Sequence, residues 1–199
     1  MGRVIYLTGA PATGKSSLCR ALKQVTPDLV VVSYSSMLQD HLRERLGVSM
    51  SAIEMRQQSG AVVTRTDVAD VDVKLLRLVD EERQTHDIII DSHPVTKESY
   101  GFRVAPFTAD QIKALNPDAI VCLYASPDLL HDRIGNAPDG RSLPSEFELG
   151  MHVQTQTTVA TQYSVLTGRS CYLIDSGATL DALVERVLPI LKLANITPA

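Results

Sequence analysis

The sequence predicts an α/β fold: three layers, with a mostly parallel five-stranded sheet between helices. Three observations predict it. Short apolar runs rich in β-branched residues alternate with helical patterns along the 199 residues. The runs are continuous rather than alternating in polarity, as strands covered on both faces are. The first run, Val4-Ile5-Tyr6-Leu7, passes through a glycine-bounded loop directly into a helical pattern, which is a βα turn.

Taken in order, residues 3–8 read as the first strand and 15–25 as the first helix, ended by Thr26-Pro27-Asp28. Leu29 to Tyr34 reads as a second buried strand. Ser35 or Ser36 is a suitable cap for a helix through Leu46, closed by Gly47. A short helix follows over 51–58. Thr64 or Thr66 caps a longer one with apolar Val68, Val71, Leu75, Leu78 and Val79, whose charges, Asp70 and Asp72 among them, read as a solvated face. Ile88-Ile89-Ile90-Asp91 is the third strand. Residues 92–107 contain Pro94, Gly101 and Pro106 without periodicity and read as a long loop, a kind that is often functional. Thr108 caps a helix to Leu115, and Ala119–Tyr124 is the fourth strand. Ser126-Pro127 opens a helix to about Ile134. Gly135 to Ser142 is rich in turn residues. Pro144 or Ser145 opens a long helix to Thr167, ended by Gly168, with the polar centre Gln154-Thr155-Gln156-Thr157-Thr158. Cys171–Asp175 is the fifth strand and Ala178–Leu193 an amphipathic last helix. No repeat or linker interrupts this series, so one domain is expected over 1–199. Its additions are a helical insert at about 35–66 and a lid at about 133–145.

The βα turn carries the sharpest signal, Gly9-Ala10-Pro11-Ala12-Thr13-Gly14-Lys15-Ser16. The glycines let the backbone turn so that consecutive N–H groups share one cavity, and the following helix adds its orphan donors and positive end. Lys15 can reach terminal phosphates, and the Ser16 hydroxyl can ligate Mg²⁺. Gly9 to Ser17 therefore form the candidate ATP-binding segment, and the fold is expected to be of the three-layer P-loop NTPase kind.

Composition narrows the remaining choices. Hydrophobic residues make up 44% and charged residues 21%, as in ordinary globular proteins. A net charge of −4 gives no basic face for nucleic acid, and no apolar run approaches a membrane span. Cys19, Cys122 and Cys171 form no paired motif, and the loop begins too early to leave room for a signal peptide. A cytoplasmic location is the expectation.

Asp91 ends an apolar strand, where a carboxylate can hold Mg²⁺ opposite Ser16. His93 follows two residues on and could position a phosphate. Phosphoryl transfer is mainly positioning and charge neutralisation, so arginines matter. Arg133 and Arg141 flank or enter the turn-rich lid, which could carry them to the transferring phosphate. Arg20, Arg77 and Arg83 read as surface charge. The insert offers Tyr34, Ser35 and Arg56 to an acceptor, and Arg103 lies in the long loop.

Several stretches together resemble the nucleoside monophosphate kinase group of P-loop kinases, and within it the archaeal-type adenylate kinases. The loop at 9–16 is similar to that family's G-x-P-x-x-G-K/G-[ST]. Asp91-Ser92-His93 resembles its strand-end D-x-H, followed by Thr96-Lys97 and Tyr100-Gly101. Leu115-Asn116-Pro117-Asp118 is similar to its L-N-P-D, and Tyr163 to Gly168 to its Y-A-x-L-T-G. The resemblance implies an NMP-kinase-like fold and reversible transfer of the γ-phosphoryl group of Mg-ATP to a nucleoside monophosphate, AMP first among them, with no covalent intermediate. It implies that Lys15 neutralises the transferred group and that Ser16 and Asp91 organise Mg²⁺. Arg56 and Arg103 would lie on the acceptor side, and Arg133 and Arg141 would act from the lid. Gln154 to Thr158 departs from the family, which carries arginine there in an N-R-x-A-like stretch. A kinase of another small molecule on the same fold, or an ATP-binding or slow ATPase module regulating a protein partner, uses the same donor residues.

Overall fold

The computed structural model describes residues 1–47, 62–137 and 143–193. The helix expected over 51–58, with Arg56, and the tip of the lid, with Arg141, lie outside the described residues. The main sheet comprises β1 (Val4–Gly9), β2 (Val30–Ser33), β3 (Ile88–Asp91), β6 (Ala119–Tyr124) and β7 (Cys171–Asp175), all parallel, in the order β2-β3-β1-β6-β7. β4 (Val95–Glu98) and β5 (Gly101–Val104) form a separate antiparallel hairpin. The helices are α1 (Lys15–Val25), α2 (Tyr34–Leu46), α3 (Arg65–Glu82), α4 (Ala109–Leu115), α5 (Pro127–Gly135), α6 (Glu146–Thr167) and α7 (Leu180–Leu193).

Alternation along the strands builds the two cores. Val4, Tyr6, Ile88, Ile90, Ile120 and Cys122 point toward α3, α4 and α6, meeting Leu75, Val79, Ile112, Val159 and Tyr163. Ile5, Leu7, Ile89, Val121 and Leu123 point the other way, against Leu18 and Leu22 of α1 and Leu183, Val187 and Leu191 of α7. Both faces of the inner strands are covered, which is why those strands read as unbroken apolar runs. Helix ends follow local chemistry: Thr64, Thr108 and Ser145 each make a reciprocal capping box. Gly47 and Gly168 close α2 and α6 in the left-handed region.

Five expectations are corrected. Residues 92–107 are not a structureless loop, because Val95–Glu98 and Gly101–Val104 pair as a hairpin around Gly101 at φ +134°. Its four-residue strands are too short for a period to show. The second strand is a half-buried edge strand ending at Ser33, and Tyr34 already belongs to α2. Ser33, not Ser35 or Ser36, caps that helix by accepting from the Ser36 amide. Arg83 is buried rather than surface charge, its guanidinium 3.8 Å from Asp118. Asp72 is likewise buried, accepting from Tyr34 Oη at 2.7 Å and Gln111 Nε2 at 2.7 Å, so that one carboxylate ties α2, α3 and α4 together.

Asp67 plays the matching part at the far end of α2 and α3. It is 1% exposed and accepts from the Thr64 amide at 2.8 Å and hydroxyl at 2.7 Å, with Arg45 Nε at 2.8 Å and His41 Nε2 at 3.1 Å. Burial alone would raise its carboxyl. The Thr64 and His41 hydrogen bonds and the Arg45 charge prevail and hold it below the usual range. A depressed carboxyl contributes stability that is present above its unfolded value and is lost as pH falls through the folded one. Asp67→Ala is therefore expected to lower unfolding free energy at neutral pH by about 2 kcal/mol in urea titrations. It should also flatten the loss of stability seen below about pH 4.

Candidate active site

The register lines up the carboxyl ends of the central strands. Ser33 of β2 pairs with Asp91 of β3, Asp91 with Leu7 of β1, and Gly9 of β1 with Leu123 of β6. Open parallel sheets bind ligands at this edge. The chain between β1 and α1 turns there through Gly9 at φ +149°, Ala12 at φ +62° and Gly14 at φ +85°. A Cβ on Gly9 would lie 2.5 Å from the Leu123 carbonyl oxygen, so the loop can leave the sheet only through glycine. Thr13, fully buried, donates its hydroxyl to the Ala10 carbonyl at 2.7 Å and closes the loop on itself.

Lys15 donates to the Gly9 carbonyl at 2.8 Å and the Ala10 carbonyl at 3.3 Å, which holds its ammonium against the loop. Gly14 caps α1 without a side-chain hydrogen bond. No capping side chain therefore competes for the first-turn amides, and Ser16 and Ser17 are exposed beside them. Arg133, in the last turn of α5, donates Nη1 to the Ala12 carbonyl at 3.3 Å and Nη2 to the Ser176 carbonyl at 2.9 Å. The sequence placed it at the end of this helix, at the edge of the lid, and α5 seats its guanidinium at the loop.

Asp91 is on the α1 side of the sheet, near enough to Lys15 to feel its charge. Burial raises its carboxyl above the usual range and Lys15 partly offsets that. Its Oδ1 is buried and has no hydrogen-bond partner among the described residues. A buried carboxylate oxygen without a donor fits a cation or its water shell. Among the described residues no three His, Cys, Asp or Glu side chains gather into a metal cluster. A cation here would have Ser16 and Asp91 as its protein partners, the arrangement expected from the motif.

The acceptor-side candidates are partly gathered. Ser35 is exposed just past β2, and His93 is exposed just past β3. The Tyr34 hydroxyl is taken by Asp72, and its ring packs edge-on against Phe107, so only part of that side chain faces a ligand. Arg103 lies on the hairpin 3.4 Å from the buried carboxylate of Glu98.

Sequence reasoning missed two inward residues of α6. Gln156 is fully buried and donates Nε2 to the Thr8 hydroxyl at 2.6 Å, one residue before Gly9, while its Oε1 finds no partner among the described residues. His152, one turn earlier, is 2% exposed and sits 3.0 Å from the Val95 carbonyl, fastening the hairpin to α6. A carbonyl only accepts, so Nε2 carries the proton. Burial, aided by Lys15, pulls this imidazole down to about 4. A lone polar residue inside a polar helical stretch gives no sequence sign of facing inward.

These features define a P-loop phosphotransferase site. A family model described as an AAA domain matches residues 8–149. Among curated proteins, the adenylate kinase of Pyrobaculum aerophilum is 30% identical over 158 residues, covering 75% of this chain and 73% of its own. That of Thermococcus onnurineus is 24% identical, covering 96% of each. Among solved structures, shikimate kinase from Acinetobacter baumannii superposes with TM-score 0.62 at 15% identity, covering 99% of this chain and 97% of its own, a likeness of fold. The chain belongs to the P-loop kinase family in which these archaeal adenylate kinases fall.

Two outcomes test the geometry. Gly9→Ala is expected to lower the thermal midpoint by about 4–8 °C, because its Cβ meets backbone. Gly14→Ala meets nothing within 4 Å and carries only the strain of its positive φ, so its shift should be smaller. The His152 ring, followed by NMR, is expected to stay neutral from pH 8 to about 5. Its depressed value makes stability fall as pH drops from about 6.5 toward 4, since the unfolded chain takes up the proton first.

Proposed function

We propose that this kinase transfers the γ-phosphoryl group of Mg-ATP to a nucleoside monophosphate, with AMP as the preferred acceptor. The observation that carries the donor half is the buried, unpartnered oxygen of Asp91 beside Lys15, at the end of a strand register-matched to the P-loop. Support for the acceptor comes from the archaeal relatives named adenylate kinase, two of which align over most of the chain.

In this reading Gly9, Ala10, Pro11, Ala12, Thr13 and Gly14 wrap the phosphates, with amides of Lys15, Ser16 and Ser17 pointing at them. The Lys15 ammonium leaves the Gly9 and Ala10 carbonyls for phosphate oxygens. Arg133, fixed at Ala12, neutralises charge that spreads over the transferring group, and Arg141 adds to it from the lid. Ser16 and Asp91 would hold a divalent cation, which would supply positive charge to the phosphate oxygens. Tyr34, Ser35, Arg56, His93 and Arg103 line the acceptor side, with an arginine clasping the monophosphate as a fork. Because the β2 and β3 ends adjoin, an acceptor held there faces the P-loop in line for direct transfer.

One observation favours a second reading. α6 turns neutral Gln156 inward to Thr8, within the Gln154–Thr158 stretch where the family it resembles carries arginine. An acceptor other than a nucleotide would need less positive charge. Purified protein with Mg-ATP and a panel of acceptors separates the two, with ADP formation followed. Turnover that requires AMP or another monophosphate is the expected result. Turnover with a polyol or shikimate-like acid alone would establish the second reading, and hydrolysis without an acceptor would remove both. Lys15→Ala and Asp91→Ala should each lower kcat by about 10²–10³-fold.

A further inference from the structure

The outward face of α6 has no use in the reading above, and it differs from the outer faces of the other long helices among the described residues. From Leu149 to Thr167 the helix has no Asp, Glu, Lys or Arg. Every other described helix of eleven residues or more exposes charged side chains along its outer face, as solvated helices do. Here the outward positions are Phe147, Met151, Gln154, Thr158, Thr161 and Val165, at alternating spacings of four and three. That is the spacing of a seam between two helices. Phe147 is 78% exposed and Val165 79%. Thr155, Thr158 and Thr161 turn their hydroxyls back to the carbonyls of Met151, Gln154 and Thr157 at 2.8–2.9 Å. The helix thus satisfies these hydroxyls itself and shows methyl groups outward.

We infer that this stripe is the contact face of a two-fold dimer, the occupant being α6 of a second copy of the chain packed antiparallel. Charge selects that partner and that direction. Glu146 and exposed Asp128 stand at the N-terminal end of the stripe, and Arg169 stands just beyond its C-terminal end. Antiparallel packing brings the acidic end of one copy to the basic end of the other and opposes the helix dipoles favourably. A parallel pair would stack Glu146 on Glu146. The uncharged middle removes the repulsion that a chain of net charge −4 otherwise brings to its own copy.

Shape agrees with charge. Along the middle and C-terminal part of α6 lies a shallow hollow of about 380 Å³ lined by Gln154, Thr157, Thr158, Thr161, Gln162 and Val165. At the N-terminal half, exposed Phe147 lines a second shallow hollow of about 480 Å³ with Pro127, Gly150 and Met151. An antiparallel pair centred on position 156 puts Phe147 of each copy opposite Val165 in the other's hollow. It puts Met151 opposite Thr161 and Gln154 opposite Thr158. The same residues then contribute from both copies, as an isologous contact requires. The helix is about 33 Å long, which is short for a permanent interface, so the association is reversible and depends on concentration.

Sedimentation velocity across a concentration series tests this. The expected result is a rise from monomer mass to dimer mass with increasing concentration. Q154E/T158E and Q154K/T158K each place like charges opposite one another across the axis, and both variants should stay monomeric at every concentration. An equimolar mixture of the two should recover the dimer, because each charge then faces its opposite, and that recovery excludes misfolding as the cause. Wild-type protein that remains monomeric at its solubility limit would overturn the proposal and leave the face to a different protein. So would a dimer that persists in both charge variants, or variants that fail to recover when mixed.

Discussion

The approach of β1 to β6 at Gly9 is the constraint on which the rest depends. The Leu123 carbonyl occupies the place a side chain would need, so the backbone leaves the sheet with a positive φ and no Cβ. After that departure α1 begins at Lys15, its first-turn amides uncapped by any side chain. Thr13 and Lys15 then hold the loop through its own carbonyls, and Arg133 holds it from α5. On the opposite face Gln156 grips Thr8, the residue before the turn. A phosphate cradle must be stiff before its ligand arrives, since donors that need no reorganisation give the most stabilisation as charge develops. Here that stiffness comes from five elements meeting at one glycine.

Much of this was legible in the sequence, and the reasons are local. The P-loop, its flanking strand and helix, the caps at Thr64, Thr108 and Ser145 and the stops at Gly47 and Gly168 are each written in a few adjacent residues. Asp91 was legible because three isoleucines precede it, and the strand-order reversal that sets β1 and β3 side by side put it near Lys15. What was not legible depends on distant partners. Asp72 and Arg83 look like members of a charged helix face until Tyr34, Gln111 and Asp118 are placed around them. The β4–β5 hairpin escapes because its strands are four residues long and its contacts with His152 and Glu148 of α6 lie about fifty residues away in the chain.

α6 shows the two situations on one helix. Its inward residues, Leu149, His152, Gln156, Val159, Ala160 and Tyr163, are ordered by what they touch: the region of the loop, the hairpin, β1 and the core. Its outward residues are ordered by something the single chain does not contain. Threonine and glutamine are middling helix formers, and a surface that needed only solvation would gain more from Glu–Lys pairs. A neutral, self-complementary stripe is the solution when the neighbour is another copy of the same surface. Because the stripe lies opposite Gln156, self-association would leave the contact of α6 with Thr8 undisturbed.

The central claim is that donor and acceptor are both nucleotides. Reversibility tests it most directly, because transfer between ATP and AMP exchanges one phosphoanhydride for another and runs close to equilibrium in either direction. The protein should be given Mg-ADP as its sole nucleotide and followed by ³¹P NMR. The account predicts that ADP signals decline while ATP and AMP appear in equal amounts. ADP that persists unchanged, from protein that turns over Mg-ATP with another acceptor, would contradict it.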